Sequence, residues 1–410
     1  MGKIYTGIEL GTDSVKIVVA EKLRNKYNIL AATSYHSNGI KNGQIVDIKS
    51  SVESIKSALA QTEEMLGVQI KKVIAAVPPT DCRMDILVGS VEVANPQKIV
   101  GTDISNVLNE AISGHKLNDY EIITATPISF VVDDVENIKD PKGMSGKILE
   151  AKIVIGSIPK ENLYKILQVI NLSEVETVDV AFTSTGDYFA ISNDETDASV
   201  GAIINIGESS TNVSIFNKGI QIKHSILPFG SANVDKDLAY VYDISLSDAR
   251  KIKENFAFAI NTYADEEESI HVICTDNSHK EITQVGVSKV VESRLNEILK
   301  LSKNEIKNLT NREIRYIIIT GGLSELQGFN YLVDTEFSGQ AKVCKISTIG
   351  IRHNKYSSAF GVIKYFDDKL SLRGRSYNMI DKETLEILTS TENSLNSDNI
   401  ITKIFGHLYD

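Results

Sequence analysis

The chain has 410 residues, enough for two or three domains whose cores need no disulfide or metal staple. Hydrophobic residues make up 42% and charged residues 24%, as in ordinary globular proteins, and 54 acidic against 43 basic residues give a net charge of −11. That balance argues against a nucleic-acid partner, which calls for a basic footprint. Three scattered cysteines, Cys82, Cys274 and Cys344, exclude a disulfide framework and a CxxC zinc site, and fit a reducing, cytoplasmic setting.

No apolar run reaches the ~18 residues of a membrane span. Glu9 and Asp13 break the first apolar stretch, so no signal peptide is expected. Two strands, IYTGIEL and VKIVVAE, flank the turn Gly11-Thr12-Asp13-Ser14, and YNILAATSY reads as a third. Apolar residues at helical spacing predict a helix from Ser50 to Leu66, and VIAAVPP is a short buried strand stopped by Pro78 and Pro79. From Cys82 to Pro159 the order becomes strand, helix, strand, Gly/Pro loop, strand, which reads as a small α+β insertion. A helix (LYKILQVINL) and a strand (EVETVDV) then return to α/β character.

The second half repeats the opening. AIINIG-ESST-NVSIF matches TGIELG-TDS-VKIVV as strand, Gly-centred turn, strand, and points to a duplicated, two-lobed fold. A helix-rich stretch follows, then YIIITGG, a strand ending in two glycines with a helix start expected at Ser324. From Asp367 to Asn399 the chain is polar and aperiodic, a linker composition. In the last residues Ile400, Ile401, Ile404, Phe405, Leu408 and Tyr409 fall on one half of a helical wheel and Thr402, Lys403, Gly406, His407 and Asp410 on the other. Such a helix suits a membrane surface, or docking on the protein itself or on a partner.

Three loops carry the chemistry. In the first, Gly11 permits close approach to a phosphate, Thr12, Asp13 and Ser14 form the bend, and Lys16 supplies charge, although an ordinary hairpin turn has the same composition. The second offers Gly207 and the hydroxyls of Ser209, Ser210 and Thr211. The third, Gly321-Gly322-Leu323-Ser324, can pack against a nucleotide. In this order the loops would clamp phosphates between two hairpins, with the diglycine holding the base.

This trio resembles the actin-like ATPase superfamily. Pro141-Lys-Gly143-Met144-Ser-Gly146-Lys-Ile-Leu149-Glu150 is similar to the PxGMxGxxLE signature of the FtsA family of cell-division actin homologues, and Gly39 to Asp47, Pro228-Phe-Gly230, Asp237-Leu-Ala and Val291-Glu-Ser-Arg294-Leu-Asn-Glu297 resemble further stretches of it. The resemblance implies an α/β fold of two lobes built on duplicated ribonuclease-H-like domains, with an FtsA-specific insertion in the first lobe. It implies a first-lobe core at 1–81 and 160–195, the insertion at 82–159, a second-lobe core at 196–243 and 310–366, a helical subdomain at 244–309, a linker at 367–397 and an amphipathic membrane-targeting helix at 398–410. It further implies ATP with Mg²⁺, polymerisation, location on the inner face of the cytoplasmic membrane at the division site, tethering of FtsZ through its C-terminal peptide, and later division proteins on the insertion. Arg294 and Glu297 are the FtsZ-binding candidates, or else a solvated pair on a helix. Gly230 joins the nucleotide set, as does Lys253, for which a plain surface helix is the other reading. An ATP-dependent small-molecule kinase or a pilus-assembly adaptor of the same superfamily is the alternative function.

The sequence departs from the family at the metal. Glu9 and Asn205 stand at the positions that would reach Mg²⁺ through water, and Asn205 is a neutral amide where a carboxylate is usual. Thr183 and Ser184 occupy the segment that supplies a Gln or Glu in active relatives, so no catalytic residue is assigned and ATP hydrolysis is expected to be slow. Ser231 and Asp235 also differ from the family near the nucleotide.

Overall fold

The computed structural model describes residues 2–372 and 375–380, apart from residues 25 and 116. The first lobe opens with β1 (Lys3–Leu10), β2 (Ser14–Leu23), β3 (Lys26–His36), a two-residue hairpin β4 (Ile40–Lys41) and β5 (Gln44–Ile45), α1 (Ile48–Leu66) and β6 (Lys72–Val77). The insertion follows as β7 (Arg83–Glu92), α2 (Gly101–Ser113), β8 (Tyr120–Val132), β9 (Val135–Ile138) and β10 (Ile148–Pro159). The lobe closes with α3 (Lys160–Leu172), β11 (Glu176–Phe182), α4 (Thr183–Ile191) and α5 (Asp194–Ala198). The second lobe contains β12 (Val200–Ile206), β13 (Thr211–Asn217), β14 (Ile220–Leu227), α6 (Ser231–Tyr242), α7 (Leu246–Asn255), the hairpin β15 (Ser269–Ile273) and β16 (His279–Thr283), and α8 (Gln284–Leu309). It ends with β17 (Tyr316–Thr320), α9 (Phe329–Phe337) and β18 (Ala341–Val343); α10 (Ser357–Leu372) then returns to the first lobe, so the second-lobe core does not run to residue 366 as expected: Phe360 and Ile363 are buried with Tyr5, Val18 and Ile74 of the first sheet.

The duplication is plain in the sheets. One runs β11-β6-β1-β2-β3 and the other β14-β13-β12-β17-β18, so β1 answers to β12, β2 to β13 and β6 to β17. In both, the hairpin strands are antiparallel and the strand that follows pairs parallel with the first. The parallel members are apolar and nearly continuously buried, as strands covered on both faces must be. Local chemistry sets the ends. Asp47 caps α1 by accepting from the Ser50 amide, and Gly67 closes it at φ 72°, which a side chain would strain.

The insertion forms its own four-stranded sheet, β7-β10-β8-β9, covered by α2. Its Gly-Met loop is a clamp: the Gly143 amide donates to Ile99 O (2.9 Å), the Gly146 amide to Pro96 O (2.9 Å), and Met144 O accepts from the Ile99 amide (2.7 Å). The motif therefore holds the approach to α2, and Gly143 supplies the φ of 87° that the turn needs.

Two further expectations require correction. The helix after the diglycine starts at Phe329, not Ser324. Residues 322–325 form a 3₁₀ turn, and Leu326 is extended, which interrupts the helical backbone. The linker does not begin at Asp367. α10 continues to Leu372, and Asp367 is buried as acceptor for Tyr5 Oη (3.0 Å), Tyr27 Oη (2.8 Å) and Lys22 Nζ. Residues 377–379 then return to β1: Met379 donates its amide to Ile4 O (3.2 Å) and buries its side chain, Asn378 Oδ1 accepts from the Ile4 amide (3.0 Å), and Tyr377 Oη accepts from Lys72 (2.9 Å). Burying one Met is worth about 2 kcal/mol. The rest of the expected linker, and all of the amphipathic helix at 398–410, lie outside the described residues.

Candidate functional site

The three loops converge. A cavity of about 410 Å³, within the range of small-molecule sites, lies between the lobes. From the first lobe it is lined by Glu9, Asp13, Ser14 and Lys16; from the second by Asn205, Gly207, Glu208, Asp235, Lys253 and the strand-end residues Gly321, Gly322 and Leu323. The hairpin geometry makes this happen, because β1–β2 and β12–β13 each present their turn at the same end of a lobe.

The remaining named residues shape the loops without lining the cavity. Thr12 and Ser209 meet across the cleft, hydroxyl to hydroxyl, at 3.4 Å. Ser210 O receives the Gly207 amide (2.9 Å), and Thr211, fully buried, donates to Phe229 O (2.8 Å). A Cβ on Gly230 would come within 2.5 Å of Glu208 O, and one on Gly11 within 2.8 Å of Ser14 O, so both glycines allow close backbone packing. Ser324 donates to Gly321 O (2.8 Å) and pins the diglycine turn. Gly321 has φ 99°, and a Cβ there would sit 2.7 Å from Asn205 Oδ1. The glycine thus leaves that oxygen room.

Each deep cation has a carboxylate. Lys16 Nζ lies 2.7 Å from Glu9 Oε1, and Lys253 Nζ lies 2.6 Å from Asp235 Oδ1 and from Ser231 Oγ. Lys253 is 3% exposed, which removes the surface-helix reading; the unusual Ser231 and Asp235 are its two partners. Burial raises the Asp235 carboxyl, with Lys253 pulling back, and raises Glu208, with Asp13 adding to the rise. At the rim Arg250 Nη1 lies 2.6 Å from Asp13 Oδ1. Burial works against the Asp13 carboxylate, yet Arg250 and Lys16 hold it below its ordinary range. Lys355 also faces the cavity; burial lowers its ammonium and Lys16 adds to that.

Sequence reasoning missed Glu208, Arg250 and Lys355 of the cavity lining, and it missed Asp187. Asp187 sits on α4, in the segment where only Thr183 and Ser184 drew attention, and is 2% exposed. Its Oδ2 accepts from Asn205 Nδ2 (2.6 Å), and its Oδ1 accepts from Ser357 (2.5 Å) and Ser358 (2.8 Å) at the start of α10. Burial pushes it up to about 6 against those hydrogen bonds. A carboxylate accepts only, so it turns the Asn205 amide with NH₂ inward and leaves Oδ1 for the cavity. The available signal was a lone Asp inside Thr-Ser-Thr-Gly-Asp directly after an apolar strand.

The donor set fits a hard cation in one respect. Glu9 Oε2 is buried without a hydrogen-bond partner, and Asn205 Oδ1 lines the same cavity. Two oxygens fall short of a cation's needs, so phosphates and water would complete the shell. Among the described residues no cluster of three His, Cys, Asp or Glu can hold a metal by itself.

Arg294 and Glu297 lie elsewhere, on α8. Arg294 forks onto Asp237 of α6 (Nε–Oδ2 2.6 Å, Nη2–Oδ1 2.9 Å) and also pairs with Glu297. Arg294 therefore ties α8 to α6 through Asp237, while Glu297 stays on α8, and Tyr240, one turn beyond Asp237, is 89% exposed. A second cavity, about 700 Å³, lies against α4, α10, β8 and the β13–β14 hairpin, and holds none of the residues named from sequence as nucleotide, metal or FtsZ contacts. Among the described residues no helix is long and apolar enough to cross a membrane.

Comparison with known proteins agrees with this architecture. Residues 202–361 match the family model for cell division protein FtsA, and residues 81–156 match that for the SHS2 domain inserted in FtsA. The chain is 27% identical to cell division protein FtsA of Bacillus subtilis (strain 168) over 95% of this chain and 90% of that protein. It is 29% identical to that of Enterococcus hirae over 88% and 83%. Among solved structures, the PilM–PilN type IV pilus biogenesis complex aligns at TM-score 0.60 and 12% identity, over 91% of this chain and 99% of that one. MreB5 of Spiroplasma citri bound to ADP aligns at TM-score 0.55 and 12% identity, over 90% and 98%. The fold is that of the actin-like ATPases with an SHS2 insertion, and the chain belongs to the FtsA family of cell-division proteins.

Proposed function

We propose that this chain binds ATP with Mg²⁺ between its lobes, assembles into actin-like protofilaments, and tethers FtsZ filaments to the inner face of the cytoplasmic membrane at the division site. The observation that carries the nucleotide reading is the meeting of both hairpin turns and the diglycine around one cavity. MreB5 of Spiroplasma citri, of the same fold, was solved with ADP and with AMPPNP, which supports a nucleotide here. Glu9 and Asn205 would hold Mg²⁺ through water; Lys16 and Lys253 would meet phosphate oxygens by leaving their carboxylates; the glycines would pass the base. The metal would supply charge neutralisation of the phosphates.

Hydrolysis is slow in this reading, because Asn205 cannot act as a carboxylate and both oxygens of Asp187 are already engaged. The FtsZ C-terminal peptide would dock on the α6–α8 face beside Arg294, Glu297 and the exposed Tyr240. Later division proteins would meet the insertion, where β7 exposes Ile86 and Val88. The amphipathic tail at 398–410 would anchor the assembly, weakly for one copy and strongly for a filament, because linked sites multiply.

The test is co-sedimentation with liposomes in the presence of ATP, comparing the full chain with one truncated after Ser397. We expect only the full chain to pellet and to bring an FtsZ C-terminal peptide with it. If both forms stay soluble, or the peptide does not follow, the tether reading is wrong.

A further inference from the structure

We propose that the Asp13–Arg250 ion pair is a clasp between the lobes that sets how fast the cleft opens, and hence how fast nucleotide enters and leaves. The kinetic part rests on the nucleotide reading above; the clasp itself does not.

Both ends of the pair are held. Asp13 lies in a turn fixed by Gly11 N to Ser14 O (3.1 Å) and by Ser37 N to Asp13 O (2.9 Å). Arg250 stands on α7, whose Ala249 and Ile252 are buried in the second-lobe core, and its Nε donates to Glu254 one turn on (3.0 Å). The ion pair therefore joins two separate cores. It also sits at the rim. The side chains of Asp13 and Arg250 are 30% and 38% exposed, whereas Glu9, Lys16 and Lys253, which line the same cavity, are 13%, 12% and 4% exposed. At the floor the lobes are joined firmly, by Asn205 on Asp187 and by the two chain crossings at α4 and α10, which pack closely on each other. Of the links at the loops, Thr12–Ser209 is a single neutral contact at 3.4 Å. Opening the lobes further about the floor must therefore break Asp13–Arg250, and a partly exposed pair is weak enough to break often.

The experiment uses the full chain, a fluorescent ATP analogue with Mg²⁺, and the cycle of Asp13→Asn, Arg250→Gln and the double variant. For the double variant, which leaves the net charge of the cleft unchanged, we expect association and release both to quicken by roughly two- to fivefold, the free-energy range of an exposed pair, with affinity nearly constant. The double variant should be no faster than the singles, the signature of a coupled pair. Added salt should quicken release from the unaltered protein and not from Arg250→Gln. Release that quickens alone, with weakened affinity, would make Arg250 a phosphate contact and overturn the clasp, as would additive effects. Hydrogen exchange without nucleotide gives an independent reading. Amides of the turn at 11–14 and of α7 should exchange faster in Arg250→Gln, and unchanged exchange overturns the clasp. If the unaltered protein fails to bind the analogue, the nucleotide reading falls and hydrogen exchange still decides the clasp.

Discussion

Asp187 is enclosed and His224 is half-buried with its Nε2 shut off from solvent, and burial moves the two in opposite directions. His224 shares a hydrogen bond with Ser214 (2.9 Å), while its Nε2 has no partner, and burial lowers it from 6.5 to about 3. Below pH 6.5 the unfolded chain takes up a proton that the folded chain refuses, so this group removes stability as pH falls from 6.5 toward 3. Asp187 is raised from 3.8 to about 6. Its folded state keeps a proton that the unfolded chain has lost, so stability is greatest below 3.8 and declines as pH rises through 6. Each slope approaches 1.4 kcal/mol per pH unit at most. Urea midpoints between about pH 4 and pH 7 should therefore become less acid-sensitive in His224→Gln and more so in Asp187→Asn. Replacing Asp187 also turns an Asn205 donor against a new amide, a cost that is constant with pH and leaves the slope readable.

At the scale of elements, α4 crossing α10, where the chain leaves the first lobe and returns to it, is the joint between the lobes. A Cβ on Gly361 would fall 1.7 Å from Gly186 O, and one on Gly186 2.4 Å from Ser358 O. No side chain fits between these backbones. Gly361→Ala should cost about 1–3 kcal/mol by overpacking, whereas Gly101→Ala, with nothing within 4 Å of the new carbon, should stay within about 0.5 kcal/mol. Urea unfolding of the two variants side by side checks this, and equal stabilities would mean that the crossing relaxes freely. These two helices were the elements least legible in the sequence. Their first turns, Thr-Ser-Thr-Gly and Ser-Ser-Ala-Phe-Gly, carry no apolar stripe, because a helix buried nearly all round has no polar face to create a period. The hairpins were legible for the opposite reason. β1–β2 and β12–β13 alternate between apolar runs and Gly-centred turns, so their duplication and the loops at their tips could be read directly. The polar stretch after Asp367 misled because its charges are spent inside the molecule: Asp367 on Lys22 and two tyrosines, Lys369 on Asp179. Composition cannot distinguish a paired charge from a solvated one.

At the scale of the whole molecule, the charge of −11 extends into the cleft. Glu9, Asp13, Glu208, Asp235, Glu254 and Glu325 line it against Lys16, Arg250, Lys253 and Lys355. A triphosphate entering without a metal would face more carboxylates than cations, at distances where partial burial keeps screening weak. A divalent cation would cancel much of that repulsion, and its bound water would give the unpartnered Glu9 Oε2 a donor. Affinity for an ATP analogue should therefore fall at least tenfold, about 1.4 kcal/mol, when Mg²⁺ is replaced by EDTA. Glu208 makes the test specific. It is half-buried, burial and Asp13 raise its carboxyl, and the cavity takes it as lining. Glu208→Gln removes one negative charge without touching Glu9 or Asn205, so it should improve metal-free binding more than metal-bound binding and narrow the gap between them. Fluorescence titrations of the two proteins, with and without Mg²⁺, read all four affinities. A gap that stays the same in Glu208→Gln would mean that the metal acts through its bound oxygens alone and that the acidity of the cleft has no part in it.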